Sequence, residues 1–156
     1  MRITLAAVGR LRAGPEADLV SEYLTRFDRS GRPLGLGPTR VAEVEDRKGG
    51  GMAAEAQLLR AAVPQGAALW VLDERGRTLD SPDFAGRLAT LRDDGTRDLC
   101  LMIGGADGLD PELRAEAGFA LSFGKMVWPH MLVRVMVAEQ LYRAASILAG
   151  APYHRA

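Results

Sequence analysis

The sequence predicts an α/β fold, a mostly parallel sheet flanked by helices, and three observations carry that expectation. Strand-like and helix-like stretches alternate along the chain, the order that winds a parallel sheet. Two of the strand-like runs, 67–72 and 99–103, are apolar without alternation, as strands covered on both faces are. Both run into polar, glycine-bearing loops, 72–76 and 103–109, and the carboxyl ends of parallel strands are where ligands gather.

Taken in order, residues 2–8 form an apolar run that closes at Gly9, a first strand. From Pro15 to Phe27, the positions Leu19, Val20, Tyr23, Leu24 and Phe27 fall on one helical face. Residues 31–37, rich in Gly and Pro, read as a loop, and 41–44 as a second strand. Arg47-Lys48-Gly49-Gly50-Gly51 is the most flexible composition in the chain, and a helix starts near Met52 and carries Leu58, Leu59 and Val63. After the strand 67–72, Ser81 is placed to cap the next helix, with Pro82 at its start. The strand 99–103 leads to a short helix over 111–117, with Gly118 positioned to end it in a left-handed conformation. Residues 119–128 read as a shorter strand and a loop, and a terminal helix runs from about Pro129 to Leu148. No repeat or linker divides the 156 residues, so a single domain, 1–156, is expected.

Composition excludes several classes. Lys+Arg and Asp+Glu are equal at 20 each. The resulting zero net charge excludes a protein that adheres to any polyanion, while leaving a local basic patch open. The one cysteine, Cys100, stands in an apolar run; it excludes an internal disulfide and a paired-thiol metal or redox site, and reads as a small buried hydrophobe. Residues 1–5 enter strand-like sequence with no signal-peptide pattern, and Arg134, Glu139 and Arg143 interrupt the longest apolar stretch. A cytoplasmic protein with no membrane partner and no metal is expected.

The chemically versatile residues crowd into the last third, including both histidines, His130 and His154. The run Gly104-Gly105-Ala106-Asp107-Gly108 is neither a dinucleotide fingerprint nor a phosphate loop with its lysine. By spacing alone it is either an ordinary tight turn or a backbone that approaches a ligand closely. His130 sits in the first turn of the terminal helix, at a loop mouth. That helix is apolar on nearly all sides, which calls for cover from a second copy in a twofold dimer. On it His130 and Arg134 share one face, and Glu139 and Arg143 stack on the opposite one, as a structural ion pair or as a catalytic pair. Arg134 has no acid near it in sequence and is the candidate for an external anion. The tail Pro152-Tyr153-His154-Arg155 is a disordered end by position, yet an aromatic ring, an imidazole and a guanidinium in a row suit base stacking and phosphate contact.

With these residues assembled, the chain resembles the SPOUT-class methyltransferases, and within them the small bacterial family that methylates N3 of a pseudouridine in large-subunit (23S) ribosomal RNA. The resemblance covers essentially the whole length. It rests on Val8-Gly9, on 72–76, on 103–109, on Pro129-His130 followed by Leu132-Val133-Arg134-Val135, on Glu139-Gln140-Leu141-Tyr142-Arg143-Ala144, and on 152–155. Each is weak alone; in this order they are specific. The resemblance implies a homodimer of SPOUT type with a C-terminal trefoil knot, and S-adenosylmethionine as methyl donor, bound at Leu72 and Asp73, at Gly104 and Gly105, and along Gly124, Lys125, Met126, Val127, Trp128 and Pro129. Members usually carry a serine at position 124 and a threonine at 127; here Gly124 and Val127 leave the grip to backbone groups. The partner implied is ribosomal RNA within the large subunit or whole ribosome, with transfer RNA as another target of the class and a non-catalytic ribosome-binding factor as the reading outside it.

The implied chemistry needs little from the protein beyond alignment of an already activated methyl group with the ring nitrogen. That nitrogen is an imide and must lose its proton. His130 or His154 suits that task, imidazole being matched to neutral pH. Arg134, Arg143 or Arg155 would stabilise the imidate and hold phosphate, and Tyr153 would stack on the base, with His154 beside it.

Overall fold

The computed structural model describes residues 1–154. Its centre is a five-stranded sheet: β1 (Arg2–Val8), β2 (Thr39–Val44), β3 (Ala68–Thr78), β4 (Asp98–Ile103) and β5 (Phe119–Ser122), in the order β2-β1-β4-β3-β5. Every strand pairing is parallel, so the expected "mostly parallel" sheet is parallel throughout. The helices are α1 (Pro15–Gly31), α2 (Gly51–Ala62), α3 (Ser81–Asp93), α4 (Pro111–Glu116) and α5 (His130–Leu148), with a 3-10 turn at Arg32–Leu34.

The unbroken apolar runs sit at the middle of the sheet because both of their faces are covered. In β4, Leu99, Leu101 and Ile103 pack under α1, α3 and α5, while Cys100 and Met102 face α2 and α4. Ile3, Leu5 and Ala7 of β1 join the first layer, Ala6 and Val8 the second. Each fully buried leucine there contributes about 1.5–3 kcal/mol of apolar transfer. The Cys100 thiol, sealed in this layer, is pushed up to about 11 by burial, so it is an inert hydrophobe. The edge strand β2 has no fully buried residue and is correspondingly polar, with Arg40 and Glu43.

Several boundaries differ from the sequence reading, each for a local reason. The first helix continues past Phe27 to Gly31, and Leu19 of its expected apolar face is left 40% exposed. Asp80, not Ser81, caps α3, its carboxylate accepting from the Asp83 amide at 2.7 Å. Ser81 instead donates its hydroxyl to Gln140 Oε1 on α5 at 2.8 Å. The short helix ends at Glu116 in extended backbone at Ala117, and Gly118 is not left-handed.

The largest departure is in β3. The segment 73–76, expected as a loop after the strand, is a bulge inside it. Leu72 and Arg77 both stand opposite Leu121 of β5, so four residues are looped out between them. Gly76 allows the strand to close again: a Cβ there would lie 2.6 Å from the Ala120 carbonyl oxygen. The bulge thrusts Asp73, Glu74 and Arg75 over the carboxyl edge of the sheet.

Candidate active site

All five strands point one way, so their carboxyl ends share one edge, and a cavity of about 260 Å³ opens there. Its floor is apolar, made by Leu72, Ile103, Leu121 and Val133. The β4–α4 turn forms one wall. The Gly108 amide donates to the Gly105 carbonyl at 3.1 Å, and the turn folds back so far that a Cβ on Gly104 would meet the Gly108 carbonyl at 2.5 Å. Of the two readings left open by spacing, the tight turn is the one seen, and the close approach that its glycines permit here is that of the turn upon itself.

The β3 bulge forms a second wall. Asp73 is almost enclosed, its side chain 5% exposed, and is fixed by Arg75, whose amide lies at 2.8 Å, and by Arg114 of α4 at 3.4 Å. Burial pushes the carboxyl up, but hydrogen bonds from Arg75 and the charges of Arg75 and Arg114 outweigh it and hold it below the usual carboxylate range. Asp73 is therefore a brace that shapes the cavity. A carboxyl held low stabilises the fold at every pH above its unfolded value near 3.8, and that contribution is lost as pH falls through the lower folded value. Asp73→Asn is expected to lower the melting temperature at pH 7, with the gap to the unchanged protein narrowing as pH falls below 3.8. Thermal melts from pH 7 to 2.5 measure this; a constant gap would show that the carboxylate does not brace the bulge.

The third wall is the loop from Phe123 to Pro129. The Ser122 hydroxyl ties it down, accepting from the Gly124 amide at 3.1 Å and donating to the carbonyl of Glu74 or Gly124, each at 3.0 Å. Val127, where the family's usual threonine hydroxyl is missing, is 80% exposed, and the hydroxyl that braces this loop belongs to Ser122. No sequence pattern singled out Ser122. Only the bulge brings Glu74 beside it.

The expected cofactor residues converge. Leu72, Asp73, Gly104 and Gly105 line the cavity, as do Gly124, Met126, Val127 and Trp128; Lys125 and Pro129 do not. His130, at the head of α5, also lines it. The acidic Glu74 and Asp107 on the rim were not anticipated.

Other expected residues lie elsewhere. Arg134 is 3% exposed and meets no external anion: its Nη2 donates to the carbonyls of Val8 and Gly9 at 2.5 and 2.8 Å, and its Nη1 to Glu43 at 2.9 Å. The acid it lacked in sequence is supplied by β2. Arg143 and Glu139 form the anticipated ion pair, with Arg143 Nε at 2.9 Å. The tail is docked on this pair. The Tyr153 hydroxyl donates to Glu139 at 3.0 Å, its ring lies 4.5 Å from that of Tyr142 and under Arg143, and His154 Nδ1 is 3.5 Å from Arg143. Burial, then the bond to Glu139, raises the Tyr153 phenol, keeping it a neutral donor. Its ring is packed against Tyr142 and Arg143, and Arg155 lies outside the described residues. No group of metal-binding side chains occurs among the described residues, and none of their helices is long and apolar enough to cross a membrane.

A cavity walled by a glycine turn at the carboxyl edge of a parallel sheet is the place where α/β proteins of this class bind their ligands. The family model described as "Predicted SPOUT methyltransferase" matches residues 1–154. Over 99% of both chains the sequence is 76% identical to "Ribosomal RNA large subunit methyltransferase H" of Roseobacter denitrificans, and 70% identical to the protein of that name from Ruegeria pomeroyi. A probable methyltransferase from Bordetella pertussis has a similar fold, with a TM-score of 0.53 at 15% identity over 92% of this chain and 96% of that one. The chain belongs to the SPOUT methyltransferase family and is a methyltransferase, with S-adenosylmethionine as its methyl donor. The residues lining the cavity fit such a donor: Leu72, Ile103 and Leu121 would take an apolar ring, and the carboxylates of Glu74 and Asp107 would suit a positive charge.

Proposed function

We propose that this methyltransferase modifies N3 of a pseudouridine in large-subunit ribosomal RNA, on the assembled ribosome, as a homodimer knotted in the manner of its family. The observation that carries the reading is the near-complete identity of length and 76% identity of sequence with a relative named for the large-subunit ribosomal RNA. S-adenosylmethionine, when bound, supplies an activated methyl group. The chain's part is to hold the acceptor in line, exclude water and take the imide proton; that His130 lines the cavity supports it as the base over His154.

Helix geometry supports the dimer. Arg143 stands about 20 Å along α5 from His130 at ~1.5 Å per residue, and the tail is tied to Arg143. A tail anchored there stands away from its own cavity, which suits service to the cavity of a second copy packed against α5. The apolar surface such a copy would cover is present, with Met126 71% and Val127 80% exposed beside Trp128, Met131 and Leu132. The zero net charge favours recognition of an assembled surface over polyanion attraction.

Incubation of labelled S-adenosylmethionine with large subunits and ribosomes lacking the modification tests the reading. The expected result is one methyl group at a single pseudouridine, with far slower transfer to protein-free RNA at physiological salt. Equal transfer to transfer RNA would overturn it.

A further inference from the structure

Arg134, displaced from the anion-binding role, instead organises a basic loop. Val8 of β1 stands beside β4 at the wall of the cavity: a Cβ on Gly105 would be 3.1 Å from Val8 Cγ1. The chain then leaves the sheet as Gly9-Arg10-Leu11-Arg12-Ala13-Gly14 before α1. Three anchors fix this loop from within. Arg134 holds the Val8 and Gly9 carbonyls; Glu43, itself paired to Arg134, accepts from the Leu11 amide at 2.7 Å; and the Leu11 side chain packs on the core.

With Leu11 turned inward, Arg10 and Arg12 are both exposed, and none of the ion pairs among the described residues uses either one. Next along the same edge, after β2, Lys48 is exposed as well. The nearby Asp46 accepts from the amides of Lys48, Gly50 and Gly51 and Glu45 pairs with Arg47, so that no ion pair among the described residues takes the Lys48 ammonium. Parallel strands lie about 4.8 Å apart, which puts Arg10 and Arg12 roughly one strand from the cavity and Lys48 roughly two.

We propose that Arg10 and Arg12, on a loop stapled by the buried Arg134–Glu43 pair, bind the phosphate backbone of the substrate RNA beside the reaction cavity, with Lys48 extending the track. This rests on the reading that the substrate is RNA. Arg134 is thereby a positioning residue, acting on RNA only through the loop it holds.

Binding of large ribosomal subunits by filter retention across 50–300 mM salt tests the proposal, with Arg10→Ala/Arg12→Ala compared against Arg29→Ala/Arg32→Ala. The control pair removes equal charge from the other end of α1, where both side chains are exposed. Loss of two phosphate contacts is expected to make the slope of log K against log salt shallower by about 1.4–1.8 and to weaken binding at least tenfold at low salt. Arg10→Lys/Arg12→Lys is expected to restore most of the slope, and S-adenosylmethionine affinity is expected to be unchanged in every variant. An unchanged slope in the alanine pair, or an equal loss in the control pair, overturns the proposal. Methyl transfer by the unchanged protein is scored separately. A protein that binds with the expected slopes but transfers no methyl group refutes the proposed reaction and leaves the phosphate track standing; one that does not bind subunits at all overturns both.

Discussion

Gly104→Ala is expected to raise the dissociation constant for S-adenosylmethionine by about 100-fold, roughly 2.7 kcal/mol. The new methyl group would lie 2.5 Å from the carbonyl carbon and oxygen of Gly108 and 3.0 Å from the Leu109 nitrogen. All three are backbone atoms of the turn that walls the cavity, so no flexible side chain can swing aside. The turn itself must open. Overpacking of this kind costs about 1–3 kcal/mol of stability, and in a chain of this length each kcal/mol lowers the melting temperature by roughly 2–4 °C. Gly108→Ala is the informative contrast. Gly108 has a positive φ of 84°, but nothing lies within 4 Å of its added Cβ, so the cost is local strain of about 1–2 kcal/mol without an intruding atom. Titration calorimetry and thermal melts separate the two. Wild-type affinity in the Gly104 variant would mean that the turn is not a wall of the cofactor site.

The second large effect concerns Arg134. Arg134→Met is expected to destabilise the fold by about 3 kcal/mol, the lower part of the range for breaking a buried pair, because Glu43 keeps 27% of its side chain in water. Methionine fills much of the volume but leaves the Val8 and Gly9 carbonyls without their buried donor and Glu43 without its cation. Burial already draws the Arg134 guanidinium below the ordinary arginine value against the pull of Glu43, and its Nε has no partner. The pair is therefore retained at a cost, which fits a role in fixing the 9–14 loop rather than in raw stability. Urea unfolding measures the loss. Adding Glu43→Gln to the methionine variant should recover part of it, because the stranded carboxylate is then removed. A change under 1 kcal/mol would show that the loop is held by other contacts.

The fold class was legible because burial on two faces leaves a direct trace: 99–103 had to be central, and it is. The carboxyl edge was legible for the same reason, since glycines clustered where two such strands end. The β3 bulge was not. Asp73-Glu74-Arg75-Gly76 has turn composition, and nothing local says that the strand resumes after it; the resumption depends on β5 lying close enough for Gly76 to face Ala120. Ser122 was missed with it. Arg134 was misread because the acid that satisfies it is 91 residues away.

The sequence by itself determined the parallel sheet, the apolar layers and the glycine turn. These follow from periodicity and from backbone allowances that each residue carries with it. Only the tertiary structure decided which charges are spent inside the protein and which face outward. Asp73, Arg134 and Glu139 are engaged by partners from other elements, while His130 is left on the cavity wall and Arg10 and Arg12 stand exposed. A side chain's chemical availability depends on what the fold places within about 3 Å of it, and that distance is not written in the order of residues.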